Sequence, residues 1–92
     1  MLPGQDRDTT NTYRVLLFAQ LREAVGQGVV EIRTDRAEIT AESLLDCLVA
    51  AYPSAAPFHR IVRVASNHTY VERGTIVHPS DEIALITPVS GG

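Results

Sequence analysis

The residues able to do chemistry in this 92-residue chain are few, and most are spaced so as to do none. The three histidines, His59, His68 and His78, fall in predicted loops and turns, with no i, i+2 or i, i+4 pair to set two imidazoles on one metal ion, so they read as solvated loop residues and no metal site is expected. Cys47 stands alone, which excludes an internal disulfide, a four-thiolate zinc site and an iron–sulfur cluster. It lies on the flank of a helical apolar stripe, where a structural thiol is the ordinary reading. Asp81 and Glu82 form a carboxylate pair, but one that opens a strand directly after Pro79-Ser80, a placement that suits turn capping better than acid–base work. Gly26 and Gly28 match neither the dinucleotide fingerprint nor the P-loop, so ATP and nucleotide cofactors are not expected to bind this chain. All eight cationic side chains are Arg; without Lys the chain forms no side-chain Schiff base and accepts no isopeptide bond on a side chain.

What remains is the last stretch, Pro88-Val89-Ser90-Gly91-Gly92. Two glycines without Cβ atoms can lie extended in a passage too narrow for any side chain, and they leave the terminal carbonyl open to attack. Ordering them costs more conformational entropy than ordering any other pair, a cost that chemistry at the carboxylate would offset. Pro88 and Val89 then read as a stiff spacer aiming the flexible end away from the fold.

The elements needed to carry such a tail are legible upstream. In Tyr13–Ala19, Val15 and Leu17 point one way and Leu16 and Phe18 the other, so the middle is apolar on both faces, as in a central strand. Val30 and Ile32 alternate with Glu31 and Arg33 in a half-buried strand, and the two strands read as a hairpin with a longish connection reversed at Gly26 and Gly28. Thr40 can cap a helix whose first turn carries Glu42; Ala41, Leu44, Leu45, Leu48, Val49 and Tyr52 form a 3.6-residue stripe, and Pro53 ends it. Pro53–His59 reads as a loop, Arg60–Ser66 as a strand, Asn67-His68 as a turn, Thr69–Val71 as a short edge strand, and Thr75–Val77 as a further short pairing. Glu82–Thr87 is the last strand, stopped by Pro88, which has no amide donor.

The order β-β-α-β-β-β predicts an α+β roll, a mixed sheet packed on one main helix. Residues 1–12 are polar with Pro3 and Gly4 and read as a flexible N-terminal extension; residues 13–92 form the one domain. One helix covers one sheet face, so Leu16, Phe18, Tyr70, Ala84 and Ile86 either form an open patch for a partner or are covered by the loop Ser54–His59. A net charge of −3 with no cationic cluster excludes a nucleic-acid or anionic-membrane partner. The chain shows neither an apolar leader nor a spanning segment, and its single cysteine fits a reducing compartment, so it is expected in the cytoplasm.

Taken together, LLFAQLRE at Leu16–Glu23, VASN before the turn, the Thr40 helix and the closing SDEIALITPVSGG resemble the small subunit of molybdopterin synthase, a ubiquitin-like β-grasp sulfur carrier. The resemblance covers Tyr13 to Gly92, with Ser80, Ile86 and Thr87 departing from the family's commoner residues. It implies that an ATP-dependent adenylyltransferase activates the carboxylate of Gly92 and that sulfur replaces one oxygen to give a thiocarboxylate. It further implies that the tail, with Gly91 sliding beside Gly92, enters the large subunit and donates sulfur to cyclic pyranopterin monophosphate in molybdenum cofactor biosynthesis. The small chain is then a non-catalytic, sulfur-donating subunit, in a heterotetramer of two small and two large chains. By the same resemblance Phe18, Tyr70 and Ile86 make the contact surface, with Pro88 and Val89 leading into it. Arg22 either meets acidic groups on partners or is a solvated surface residue. A sulfur carrier for another product, the thiamine thiazole or cysteine, and a ubiquitin-like protein modifier share the tail chemistry and differ in partner.

Overall fold

A computed structural model describes residues 11–36 and 38–88. The tail residues Val89, Gly91 and Gly92, and most of the proposed N-terminal extension, lie outside the described residues. Strand β1, Asn11–Leu17, starts two residues before the expected domain boundary because Asn11 and Thr12 extend its ladder with β2, Val29–Thr34. These two strands pair antiparallel, with Val15 opposite Val30. The connection between them is a helix, α1, Ala19–Val25, that the sequence reading missed. Its start carries no side-chain cap, and Ala19 takes a left-handed φ of 53° to swing the chain out of β1. Gly26, at φ 86°, ends it by donating its amide to the Arg22 carbonyl. Gly28 is not a left-handed turn residue: a Cβ there would stand 3.3 Å from Arg22 Nε, so it is the passing arginine that favours glycine.

The main helix α2 runs Ala41–Ala51, and its N-cap is as expected: Thr40 Oγ1 accepts the Ser43 amide at 3.1 Å. Two more of its free amides, those of Ala41 and Glu42, donate to the carbonyls of Thr75 and Arg73 across the fold. A 3-10 helix, Pro53–Phe58, follows where a loop was expected. Then come β4, Arg63–Ser66, shorter than the expected strand, and β5, Thr69–Val71, joined by Asn67 and His68 at φ 53° and 72°. Positive φ at both central residues is the two-residue hairpin geometry that matches strand twist.

The main sheet has the order β2-β1-β7-β4-β5, where β7 is Ile83–Ile86. Its central pair, β1 with β7, is parallel, with Leu16 beside Ala84, and the other pairings are antiparallel, so the sheet is mixed. β5 is an edge strand as expected. Two short strands, β3 (Ile39–Thr40) and β6 (Ile76–Val77), pair with each other in a second sheet rather than extending the first.

One core fills the space between sheet and helices. Val15, Leu17, Ile83 and Leu85 from the central strands meet Leu44, Leu45 and Leu48 of α2 and Leu21 of α1. Tyr13 is fully buried among them, and its hydroxyl donates to the Val77 carbonyl at 3.3 Å, tying the two sheets together. Burial pushes the Tyr13 phenol up from its ordinary pKa, with the charges of Asp81 and Glu38 acting in the same direction.

Candidate functional site

The alternation in β1 and β7 decides what the sheet shows to its other side. Val15, Leu17, Ile83 and Leu85 are buried under α2, so Leu16, Ala84 and Ile86 necessarily face away from it. The 3-10 helix does not cover them. It packs against α1 and α2 on the core side, burying Ala55 and leaning Phe58 on the core. The two expectations for this face are thereby separated, and among the described residues the sheet face is open.

Leu16, Phe18, Ala65, Tyr70, Ala84 and Ile86 line one shallow groove on it, enclosing about 370 Å³. The register explains the gathering: Leu16 pairs with Ala84, Ala84 with Ala65, and Ala65 with Tyr70, so four strands contribute one row. Phe18 and Tyr70 are the large exposed members, at 43% and 52% of full exposure. Phe18 owes its place to the reversal at Ala19, which ends β1 with the ring still on the open side. Arg63, opposite Ile86 in register, lies over the Tyr70 ring with its guanidinium carbon 4.2 Å from the centroid. At the other end of β7, His68 Nε2 stands 3.3 Å from Glu82 Oε1, and both residues border the groove.

Of the residues singled out in the sequence, Phe18, Tyr70 and Ile86 are brought together, and Pro88 is exposed two residues beyond Ile86. Arg22 is not part of the groove; it sits in the last turn of α1, folded against Gly28. Between Ile86 and Pro88, Thr87 turns to the core side and is buried, its hydroxyl without a hydrogen-bond partner among the described residues.

Of the carboxylate pair before β7, Asp81 takes the capping role expected of it, while the Glu82 carboxylate lies against His68. Asp81 Oδ2 accepts the His78 amide at 2.9 Å and Oδ1 accepts from Asn67 Nδ2 at 3.1 Å, while the Glu82 amide donates to Asn67 Oδ1 at 2.9 Å. The bond from the His78 backbone, ahead of that from Asn67, holds the Asp81 carboxyl below its ordinary pKa. His59 departs from the solvated loop residue that was expected. Its side chain is 23% exposed, with Nε2 2.8 Å from Asp46 Oδ1 and 3.6 Å from Glu42 Oε2. These three residues form a cluster of metal-ligand type among the described residues. Arg73 already supplies the positive charge there: it donates to Glu42 Oε1 at 3.0 Å and to the carbonyls of His59 and Val62. The arrangement is a buckle between α2, the 3-10 helix and the β5–β6 turn, and a divalent cation would have to displace or repel that guanidinium.

Comparison with known proteins agrees with this architecture. The ThiS family model matches residues 15–92. The chain belongs to the ThiS family. Among its relatives, the molybdopterin synthase sulfur carrier subunit of Dictyostelium discoideum is 33% identical over 90% of this chain and 99% of its own. That of Arabidopsis thaliana is 37% identical over 86% and 81%. Among solved structures, the small archaeal modifier protein SAMP1 of Haloferax volcanii superposes with a TM-score of 0.76 at 30% identity, covering 88% of this chain and 99% of that one. The fold is the β-grasp of ubiquitin-like sulfur carriers. Among the described residues no helix is long and apolar enough to cross a membrane.

Proposed function

We propose that this protein is the sulfur carrier subunit of molybdopterin synthase. The observation that carries the reading is the apolar groove along β7, which ends at Ile86 where the chain passes to Pro88 and the glycines. A surface of this kind beside the root of a reactive tail docks the enzyme that receives the tail. The relatives named as sulfur carrier subunits of that synthase support the choice of product.

On this reading Gly92 is the carrier. Its carboxylate oxygen attacks the α-phosphorus of ATP on a separate adenylyltransferase, pyrophosphate leaves, and the carboxyl becomes a mixed anhydride with AMP. A sulfur nucleophile then displaces AMP and leaves a thiocarboxylate, whose sulfur is a far better nucleophile near neutral pH than the oxygen it replaced. In the large subunit that sulfur forms a carbon–sulfur bond to the cyclic pyranopterin monophosphate as a carbon–oxygen bond at the attacked carbon breaks and its oxygen leaves. Hydrolysis of the acyl–sulfur bond then leaves the sulfur on the pterin and restores the carboxylate on Gly92. Gly91 lets the end lie in a narrow passage, and Phe18, Tyr70 and Ile86 hold the globule against its mouth. The assembly is a heterotetramer of two small and two large chains working in the cytoplasm.

The test is the intact mass of the chain purified from its native host, with the C-terminal peptide fragmented. Sulfur in place of one terminal oxygen on Gly92 is the expected result; an unmodified carboxylate after incubation with host extract, ATP and a sulfur source refutes it. A second reading, a protein modifier joined through Gly92 to lysines of targets, is favoured by the likeness to the Haloferax modifier. It predicts covalent conjugates of the chain in the same extract, where the carrier reading predicts free thiocarboxylate.

A further inference from the structure

The groove is not electrically uniform along β7. At its start His68 Nε2 stands 3.3 Å from Glu82 Oε1. At its end, beside Ile86, stands Arg63, which forms no ion pair with any carboxylate among the described residues. Its guanidinium carbon stands instead 4.2 Å from the centroid of the Tyr70 ring, a contact that narrows its rotamers before any partner arrives. A protein surface that covers Phe18, Tyr70 and Ile86 must take water from this charge as well. Removing a guanidinium from water without an anion to receive it opposes binding.

We propose that Arg63 is a specificity residue of the docking face and pairs with a carboxylate that the large subunit presents beside the opening that takes the tail. The inference rests on the function proposed above and adds the chemistry of the partner: an apolar patch bordered, at the tail end, by Asp or Glu. The uneven charge also fixes direction. A partner docked the other way round would bring that carboxylate to Glu82 and leave Arg63 unanswered.

The experiment is titration of this chain into the purified large subunit of the synthase from the same organism, by calorimetry at low and at high salt. Arg63→Ala is expected to weaken binding about tenfold at low salt. Arg63→Lys should be weakened as well, because an ammonium neither stacks on Tyr70 as a plane nor donates in a fork. The gap between Arg63→Ala and the parent chain should close at high salt, where the charge term is screened. Arg33→Ala, an exposed arginine on the far edge strand β2, serves as the charge control and should bind like the parent. Binding of Arg63→Ala equal to that of the parent at low salt, with Phe18→Asp still losing affinity, overturns the carboxylate pairing and leaves the docking face standing. A deficit in Arg63→Ala that is the same at both salts also overturns it, since that is the mark of lost packing on Tyr70. If Phe18→Asp too binds like the parent, the docking face itself is wrong and both readings fall.

Discussion

Leu17 and Phe18 are neighbours in the chain and, by the structure, belong to opposite sides of the sheet, which allows fold and docking to be separated by two substitutions. Leu17 is 1% exposed and lies beside Leu85 in the parallel pair, so Leu17→Ala leaves a cavity at the centre of the core. Such a truncation costs about 3 kcal/mol, within a range of about 2–5. A domain of this size has a total stability of about 5–14 kcal/mol, so the change removes a large share of it. The melting temperature should fall by about 12–24 °C, at about 4–8 °C per kcal/mol. Phe18 keeps 43% of its surface in water, and on the burial scale its loss costs about 1–2 kcal/mol. Phe18→Asp should therefore lose less of its melting temperature than Leu17→Ala, about 4–16 °C, while binding to the proposed large subunit collapses, since a carboxylate is set where an aromatic ring was. Circular dichroism melts of both variants, with binding measured well below either transition, are the assay. A Phe18→Asp protein that melts as low as Leu17→Ala would show the ring to be core, and the open-face argument would fail.

Four further outcomes are expected, the first from the proposed tail chemistry and the rest from the geometry. Deleting Gly92 should leave the melt unchanged and abolish sulfur transfer in a reconstituted synthase assay; retained transfer refutes the tail chemistry. Thr40→Ala removes the cap on the Ser43 amide and should cost about 1 kcal/mol in denaturant unfolding. Asp81, with its carboxyl held below the ordinary range in the native state, contributes stability that is present above its unfolded pKa and lost as pH falls through the native one. Asp81→Asn should accordingly flatten the acid limb of the stability profile, and an unchanged acid limb contradicts the assignment. Thr87→Val replaces a buried hydroxyl that has no described partner by a methyl of the same shape, and the melt should stay level or rise; a clear loss would mean that the hydroxyl is bonded.

How much of this was legible depends on how far apart in the chain the deciding residues lie. β1, β7 and α2 each carry their pattern within a single element: alternation around Val15 and Ile83, and a capped stripe from Thr40 to Tyr52. Which residues share the far face followed from that alternation, because a residue between two core positions on a strand has nowhere else to point, but that the face is left uncovered depended on where Pro53–Phe58 packs. Helix α1 gave no comparable signal. It has seven residues, no side-chain cap, one fully buried position at Leu21, and a start that depends on a left-handed Ala19. The segment Pro53–Phe58 looked like a loop because its two prolines break any longer pattern, and only packing on α1 and α2 makes it a 3-10 helix. Strands β3 and β6 are two residues each and are defined by one another. The Glu42–Asp46–His59–Arg73 buckle joins groups up to 31 positions apart, so its histidine read as a solvated one. Arg63 over Tyr70 is likewise a product of hairpin register, visible only once Ala65 is known to pair with Tyr70.

The division of labour across the sheet has a consequence for which changes a partner can impose. One face of β1 and β7 is packed to completion by Leu44, Leu45 and Leu48, and a substitution there is felt as lost stability. The other face carries residues that fold needs little, since Ala65 and Ala84 are small and the larger Phe18 and Tyr70 stand half in water. Side chains on this face can therefore be exchanged to suit a different partner with small cost to the core. Gly91 and Gly92 have no such freedom on the proposed chemistry, because any Cβ narrows the fit in the passage. Members that share the fold and the tail but serve different acceptors should then differ most along the row from Phe18 through Ile86 to Arg63. A chimaera exchanging that row alone, with the core and the tail untouched, should move partner preference with it; one that folds and keeps its original partner would place specificity elsewhere on the surface.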